Sequence, residues 1–256
     1  MEKLKIDIIV EARMDSTRLP GKVLLPIVGK PVLELMVERL KRVSNISEII
    51  IATTTKEVDN KIVELAHDNG VRCYRGSESD VLGRVLESAI YFDTDIIVEV
   101  TGDNPLSDPI LIESMIDKFI KLGDSVDFIS NDVGCYNNSV KIEFPLGLNV
   151  KIFKTSVLSE VESKAKSPVD REHVVNYILK NMDKYRVYNY KPQGFYCRPD
   201  LRFTMDYKED YILIKEVYEA LYDFNNNFTS CEIIDFLDAN PIIKNGNIDC
   251  VQNRYQ

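Results

Sequence analysis

A short stretch near the N-terminus gathers positive charge and hydroxyl groups. The sequence EARMDSTRLPGK (11–22) directly follows the apolar run IDIIV. Its polar side chains of interest are Arg13, Ser16, Thr17, Arg18 and Lys22. Backbone amides and hydroxyls in such a loop can surround phosphate oxygens, while the cations neutralise phosphate charge. The loop carries neither GxxxxGK[ST] nor GxGxxG. An ordinary solvated loop is the alternative, but the position directly after a predicted strand favours anion binding.

Two aspartates follow other predicted strands. Asp103 ends the strand in VTGDNPLSDP, and Asp206 ends the strand in LRFTMD. Strand alternation places Arg202, Thr204 and Asp206 on one face. Carboxylates that face bound phosphates are expected to share Mg²⁺ with them, because Mg²⁺ prefers oxygen ligands and often takes only one or two from protein. The alternatives are a turn at Asp103 before Pro105 and a helix N-cap at Asp206.

The elements that must position these residues alternate between strand and helix. Four strand–helix units in the first half predict an α/β, Rossmann-like, mostly parallel twisted sheet with helices on both faces. Ligands of such sheets bind beyond the carboxyl ends of the strands, which is where the polar stretches fall. The pattern changes after about Asp124, and the turn-rich segment 132–150 is predicted to be an extended β insertion. We expect one domain over 1–240 and a C-terminal tail over 241–256.

Composition excludes several classes of function. The formal net charge of -9 over 256 residues argues against a nucleic-acid binder and against attachment to an anionic membrane surface. The five cysteines are scattered and form no CxxC, so neither a zinc site nor a disulfide framework is expected. No apolar run reaches membrane-spanning length and no signal peptide is evident. We therefore expect a cytoplasmic protein that binds neither nucleic acid nor membrane.

Five stretches occur in an order that resembles the SpsF-type cytidylyltransferases, a family associated with spore-coat and other surface polysaccharides. They are ARMDSTRLPGKVLLPIVGKPVLE, VTGDNPLSDP, FPLGLNVKIF, REHVVNYI and LRFTMDYKEDY. The similarity runs from about residue 6 to about residue 220 and extends to CMP-Kdo synthetase and acylneuraminate cytidylyltransferase. It implies a GT-A-like nucleotidyltransferase fold and a Mg²⁺-dependent transfer of CMP from CTP to a sugar hydroxyl, with release of pyrophosphate.

The resemblance also implies roles for individual residues. The residues expected to bind the nucleotide are Arg13, Ser16, Thr17, Arg18 and Lys22 for the phosphates, with Thr53, Thr54, Asp80 and Arg84 for cytosine and ribose. Arg13, Lys22 and Asp103 are expected to be catalytic, and Asp103 and Asp206 to hold the metal. If the acceptor is an acidic sugar, a cation should face its carboxylate. The acceptor-binding candidates are Arg202, Arg171 and Asn149.

The sequence departs from the family pattern at several positions. Asp15 stands where relatives usually carry a small residue, and GLNVK replaces the more acidic GLDVE, which introduces Asn149 and Lys151. These changes affect the acceptor more than the nucleotide. His173 is expected on a helix surface rather than in the active site, and His67, late in a helix, is given no catalytic role.

Relatives pair through the segment that corresponds to 132–150, so a homodimer is expected. The apolar residues Tyr136, Phe144 and Leu146 lie in that segment here, although they could equally pack within one chain.

Two other functions stay open at this point. A GT-A glycosyltransferase would use a nucleotide sugar, but it would usually show a DxD pair where GDN offers only Asp103. A non-catalytic nucleotide-binding protein that kept the fold is the second alternative, and Asp15 with the altered GLNVK favours it.

Overall fold

The computed structural model describes residues 4–136 and 140–251. Within them, seven strands form one sheet in the order β5-β4-β1-β6-β8-β7-β9, and two short strands form a separate ribbon. The strands are β1 (Ile6–Glu11), β2 (Pro26–Ile27), β3 (Lys30–Pro31), β4 (Glu48–Thr54), β5 (Arg72–Gly76), β6 (Ile96–Thr101), β7 (Phe128–Ser130), β8 (Lys151–Lys154) and β9 (Val187–Asn189). In the seven-stranded sheet the ladders are parallel except where β8 pairs with β6 and β7, and the separate β2–β3 ribbon is antiparallel. The predicted mostly parallel sheet is confirmed.

Helices cover both faces of this sheet. The α-helices of the described residues are α1 (Val32–Leu40), α2 (Asn60–Asp68), α3 (Val81–Tyr91), α4 (Pro109–Leu122), α5 (Val133–Tyr136), α6 (Thr155–Lys164), α7 (Pro168–Glu172), α8 (Asn176–Lys180), α9 (Lys208–Leu221), α10 (Ser230–Ala239) and α11 (Pro241–Lys244). Helices α1, α2, α4, α9 and α10 pack on one face, and α3, α6 and α8 on the other. Among the described residues, no helix has the length and apolar character needed to cross a bilayer.

The alternation of strand side chains builds both cores. In β1, Ile8 and Val10 belong to one core and Ile9 to the other, and all three are buried. Such two-sided burial is expected of a central parallel strand. Glu11 closes β1 in register with Ala52 of β4 and Thr101 of β6. The polar residues at the strand ends therefore meet at one edge of the sheet.

The segment 132–150 differs from the expected β insertion. Its described part contains α5 and irregular chain, with one isolated bridge between Leu146 and Arg202. Phe144 is buried within this chain, with its ring 6.0 Å from that of Tyr196. Leu146 is partly buried, and the side chain of Tyr136 lies outside the described residues. Phe144 thus packs inside its own chain, the alternative left open by the sequence, and the homodimer stays a prediction.

Two further segments differ from expectation. Residues 201–206 were predicted to form a strand, but they run as irregular buried chain apart from the bridge at Arg202. The predicted tail 241–256 begins with α11, and its Asn247 is buried. The Asn247 amide donates to the Arg202 carbonyl and to Asp210 Oδ1, and these hydrogen bonds hold the segment on the domain.

Candidate active site

The loop after β1 folds back over the carboxyl edge of the sheet. The backbone nitrogen of Met14 donates to Asp59 Oδ1 at 2.7 Å, and the nitrogen of Gly21 donates to the Met14 carbonyl at 3.0 Å. Gly21 has φ of 67°, a left-handed conformation that glycine adopts readily. It begins a short 3₁₀ turn, Lys22–Leu24. This closed loop directs Lys22 toward the strand ends.

Lys22 joins the two aspartates predicted to hold metal. Its Nζ lies 2.7 Å from Asp103 Oδ2 and 2.9 Å from Asp206 Oδ1. Burial alone would raise the pKa of Asp103, but the charge and hydrogen bond of Lys22 outweigh it and lower that pKa. The same pairs overcome burial to raise the pKa of Lys22. Asp103 is therefore held in its charged form, and the carboxylates of Asp103 and Asp206 both face one cation.

Backbone contacts fix the distance between the two aspartates. The nitrogen of Met205 donates to the carbonyl of Asp103 at 2.8 Å, so the chain that leads to Asp206 is joined to the end of β6. Asp206 is not the N-cap of α9; that position belongs to Tyr207. The side chain of Asp206 is therefore available to the cleft, whereas Asp108 does cap α4.

The residues predicted to bind phosphate line an outer cleft of about 470 Å³. Its walls include the predicted residues Arg13, Ser16, Thr17, Arg18, Lys22, Arg84, Asp103 and Asp206. Arg18 contacts Asp206 Oδ1 at 3.0 Å and lies over the ring of Tyr207. Arg13 donates to the Glu78 carbonyl at 3.3 Å and lies 3.9 Å from the Glu172 carboxylate. Asp15 also lines the cleft, but its carboxylate is paired with Lys56 at 2.7 Å.

An inner pocket of about 120 Å³ adjoins the outer cleft. The two share the walls formed by Glu11, Arg18, Thr101, Asp103, Glu172, His173 and Asp206. The inner pocket adds Glu99, Asp132, Asn149 and Lys151. Asn149 donates to Asp132 at 3.1 Å and accepts from the Gly147 nitrogen at 2.7 Å. The predicted acceptor residue Asn149 therefore lines the inner pocket, next to the outer cleft that the loop after β1 lines.

Sequence reasoning missed the polar floor of this pocket. Lys151 Nζ donates to Glu99 Oε1 at 2.8 Å, and both side chains are nearly fully buried. Burial and the nearby Glu99 carboxylate raise the pKa of Glu11 well above its ordinary value. Glu11 Oε1 and Glu99 Oε2 are buried with no hydrogen-bond partner, and the raised pKa favours the protonated form of Glu11. The available signal was a glutamate inside the apolar strand sequence IIVEVT.

His173 was also missed, since it was expected on a helix surface. It follows α7 and lines both the cleft and the pocket. Burial, with the charges of Lys151 and Lys180, lowers its pKa to about 4. The ring is therefore neutral near pH 7 and brings no positive charge to the site.

Five other predicted residues lie outside both walls, and the side chains of four of them have other partners. The Thr54 hydroxyl is bonded to Asp59, and the Thr53 side chain is fully buried. Asp80 caps α3 and pairs with Arg171, which also contacts Glu162 at 2.9 Å. Arg202 is held by Asp206 and Asp210. Their expected roles in binding nucleotide or acceptor stay predictions.

The residues present fit a divalent cation with oxygen ligands. Two carboxylate oxygens already contact one positive charge, that of Lys22. Among the described residues, no group of three or more His, Cys, Asp or Glu side chains forms a complete metal cage. Mg²⁺ is often bound by one or two carboxylates together with substrate phosphates and water. Asp103 and Asp206 suit that mode of binding.

The fold and this cleft define a nucleotidyltransferase. The cytidylyltransferase family profile matches residues 8–234, and the chain belongs to that family. The spore coat polysaccharide biosynthesis protein SpsF of Bacillus subtilis (strain 168) is 32% identical over 91% of this chain and 94% of its own length.

Solved structures agree with this assignment. A cytidylyltransferase from Leptospira borgpetersenii is 33% identical and has a TM-score of 0.87, covering 94% of this chain and 97% of its own. CMP:2-keto-3-deoxy-manno-octonic acid synthetase, solved with CTP, is 17% identical with a TM-score of 0.63, covering 84% of this chain and 99% of its own. That second likeness is one of fold.

Proposed function

We propose that the protein transfers CMP from CTP to a sugar hydroxyl and releases pyrophosphate, in the biosynthesis of a surface polysaccharide. The observation that carries the proposal is the position of Lys22 between Asp103 and Asp206, in a cleft that Arg13 and Arg18 also line. SpsF is named for polysaccharide biosynthesis, and the synthetase of the same fold was solved with CTP. Both names support this choice of nucleotide and pathway.

The outer cleft is the proposed triphosphate site. Lys22, Arg18 and Arg13 carry the positive charge that a triphosphate needs, within a chain whose net charge is -9. Ser16 and Thr17 add hydroxyls on the same wall. Because the cations are concentrated in one loop, they attract a polyanion locally although the protein as a whole is acidic.

In the proposed reaction, an oxygen of the acceptor hydroxyl attacks the α-phosphorus of CTP. The bond from that phosphorus to the bridging oxygen breaks, pyrophosphate leaves with the bond electrons, and the hydroxyl proton passes to solvent. Lys22 and Arg18 offset the negative charge that develops on the departing group. Mg²⁺ held by Asp103 and Asp206 would supply Lewis-acid chemistry at the phosphate oxygens. Fixed positions for both reactants provide the rest of the acceleration.

The inner pocket is the proposed acceptor site. It adjoins the phosphate cleft, and its carboxyl and amide groups at Glu99, Asp132 and Asn149 suit the hydroxyls of a sugar. An acidic sugar was expected to meet Arg202 or Arg171, but both guanidinium groups are bound to carboxylates. The acceptor search therefore needs acidic, neutral and amino sugars alike.

One screen tests this proposal. The full-length protein is incubated with CTP, Mg²⁺ and each sugar, and mass spectrometry detects a CMP-sugar while a coupled assay measures pyrophosphate. We expect one sugar to yield equal amounts of both products, with CTP preferred over ATP, GTP and UTP. CTP binding without either product, across the panel, would favour the non-catalytic alternative. Release of nucleoside diphosphate from a nucleotide sugar would favour a glycosyltransferase.

Two further expectations stay predictions. A homodimer is to be checked by sedimentation equilibrium, and a cytoplasmic location by fractionation of cells that express the full chain.

A further inference from the structure

The carboxylate of Asp210 lies behind the cleft and is fully buried. Its two oxygens accept five N–H groups, namely Arg202 Nε (2.8 Å), Arg202 Nη2 (3.1 Å), the backbone nitrogens of Asp206 (2.9 Å) and Tyr207 (3.0 Å), and Asn247 Nδ2 (2.9 Å). A buried anion is stable only when such donors replace the water that it has lost. The stability of the buried Asp210 carboxylate therefore depends on every segment that supplies one of these N–H donors.

This network holds one carboxylate oxygen and the backbone nitrogen of Asp206, and it leaves the other carboxylate oxygen in the cleft. Arg202 Nη2 donates to Asp206 Oδ2 at 3.2 Å, and Asp210 accepts from the Asp206 backbone nitrogen. The second oxygen, Oδ1, faces Lys22 and Arg18. The orientation of the cleft-facing oxygen is thus set from behind, by Arg202 and Asp210.

Asn247 is the contribution of the C-terminal segment 245–251 to this network. Its amide donates both to Asp210 Oδ1 and, at 3.1 Å, to the carbonyl of Arg202. The side chain is only 4% exposed, whereas its neighbours Gly246 and Ile248 are exposed. Both residues that orient Asp206 therefore share one donor from the end of the chain.

The same segment also reaches the phosphate loop through Tyr207. The Tyr207 hydroxyl donates to the Val251 carbonyl at 3.3 Å and accepts from Arg18 Nη1 at 3.4 Å. The Arg18 guanidinium lies 5.1 Å from the centre of the Tyr207 ring. The C-terminal segment thus contacts the supports of both a carboxylate and a cation of the cleft.

We infer that Asn247 is a positioning residue for Asp206, and that the C-terminal segment 245–251 is a working part of the active site. Asn247 does not line the cleft. It acts by holding Asp210 and Arg202, which in turn hold Asp206 in place for a divalent cation. The inference rests on the proposed function only in taking Asp206 as a metal ligand.

The experiment measures Mn²⁺ binding by the full-length protein, with CTP present and no acceptor, from the electron paramagnetic resonance signal of free Mn²⁺. The variant is Asn247→Ala, and the matched control is Asn245→Ala, an exposed asparagine two positions away. Asp206→Asn identifies the part of the binding that belongs to this site. Each protein is studied well below its own melting temperature, which is measured separately.

We expect Asn247→Ala to raise the Kd for Mn²⁺ by about tenfold, the lower end of what loss of a ligand's supporting partner costs. Asn245→Ala should leave it unchanged, and high Mn²⁺ should restore turnover of Asn247→Ala. A Kd for Asn247→Ala within twofold of the wild-type Kd would overturn the inference, even if the melting temperature falls. A residue that only stabilises the fold would lower the melting temperature and leave Mn²⁺ affinity unchanged.

A second variant guards against failure to fold. Asn247→Ser keeps a polar side chain that is too short to reach Asp210. Its Kd for Mn²⁺ is compared with that of wild type, and the same tenfold and twofold criteria apply. Wild-type Mn²⁺ binding that Asp206→Asn does not weaken would also overturn the inference. A protein that binds Mn²⁺ as expected but makes no pyrophosphate would contradict the proposed function and leave this inference standing.

Discussion

The ammonium nitrogen of Lys22 lies 2.7 Å from Oδ2 of Asp103, and both residues line the outer cleft. It lies almost as close to Asp206, at 2.9 Å. The lysine therefore occupies the place between two carboxylates where the proposed function puts a divalent cation. We expect CTP to draw the ammonium toward its phosphates as the metal binds, because both cations then remain paired with negative charge.

Replacing Lys22 with methionine separates its two expected roles. Turnover of CTP should fall, because the activation free energy should rise by about 2–4 kcal/mol, the scale measured when one charge-stabilising group is lost. Mn²⁺ binding without nucleotide should become tighter, since no ammonium competes for Asp103 and Asp206. Lys30→Met is the control, because Lys30 pairs with Glu38 away from the cleft. Normal turnover, or weaker Mn²⁺ binding, by Lys22→Met would contradict this account.

Asp15 is expected to have little effect on CTP binding in spite of its place in the phosphate loop. Its hydrogen bond and ion pair with Lys56 lower its pKa, and Lys56 also contacts Glu78 at 2.6 Å. Because this exposed pair is screened by water, Asp15→Asn should change the KM for CTP less than about fivefold. Steady-state kinetics in parallel with Arg18→Ala, which should cost much more, provide the check. A larger effect of Asp15→Asn than of Arg18→Ala would refute the assignment.

Gly147 is expected to control the path of the chain that carries Asp206. Its φ is 99°, and an added Cβ would lie 2.3 Å from the Thr204 nitrogen and 2.4 Å from the Phe203 carbonyl carbon. Gly147→Ala should lower the free energy of unfolding by about 3 kcal/mol or more, through strain and overlap with backbone. Turnover should fall as well, because residues 203–206 must move.

Gly194→Ala is the matched control for that variant. Gly194 also has a positive φ, 58°, but an added Cβ would meet nothing within 4 Å. Only the left-handed conformation then costs energy, about 1–2 kcal/mol. Urea denaturation measures both variants. Equal losses of stability would show that contact with Thr204 and Phe203 is unimportant.

His173 predicts how stability depends on pH. Its pKa is about 4 in the folded protein, below the ordinary 6.5, so the unfolded chain binds a proton more readily. The corresponding stability is complete above pH 6.5 and is lost as pH falls from 6.5 toward 4, by at most about 3 kcal/mol. His173→Gln should remove this part of the pH dependence of unfolding, and His67→Gln, at an exposed position, should not. Identical profiles for wild type and His173→Gln would contradict the assignment.

The sheet and the cationic character of the loop after β1 could be predicted because their signals are local. Apolar runs such as IDIIV and IIVEVT mark central strands, and the cations of the first loop lie within ten residues of each other, from Arg13 to Lys22. The rule that parallel strands end at one edge predicts that Lys22 and Asp103 lie together. Asp206 joins them although residues 201–206 form no strand, because the Met205 nitrogen donates to the Asp103 carbonyl.

The remaining features depend on contacts between distant parts of the chain. Arg202 looked available for an acceptor because its partner Asp210 lies on the next helix, where a carboxylate reads as a solvated first-turn residue. The burial of Asn247 in the predicted tail and of the Lys151–Glu99 pair has the same origin. Charge and spacing reveal which groups exist, but the partner that each group uses is decided by tertiary packing.

The most direct test of the central claim measures pyrophosphate release from CTP by wild type, Asp103→Asn and Asp206→Asn, with Mg²⁺ and the sugar found in the screen. The account predicts that each substitution lowers kcat/KM at least about a hundredfold, since each removes a negative oxygen from the metal site. Near-normal rates in both variants would contradict it.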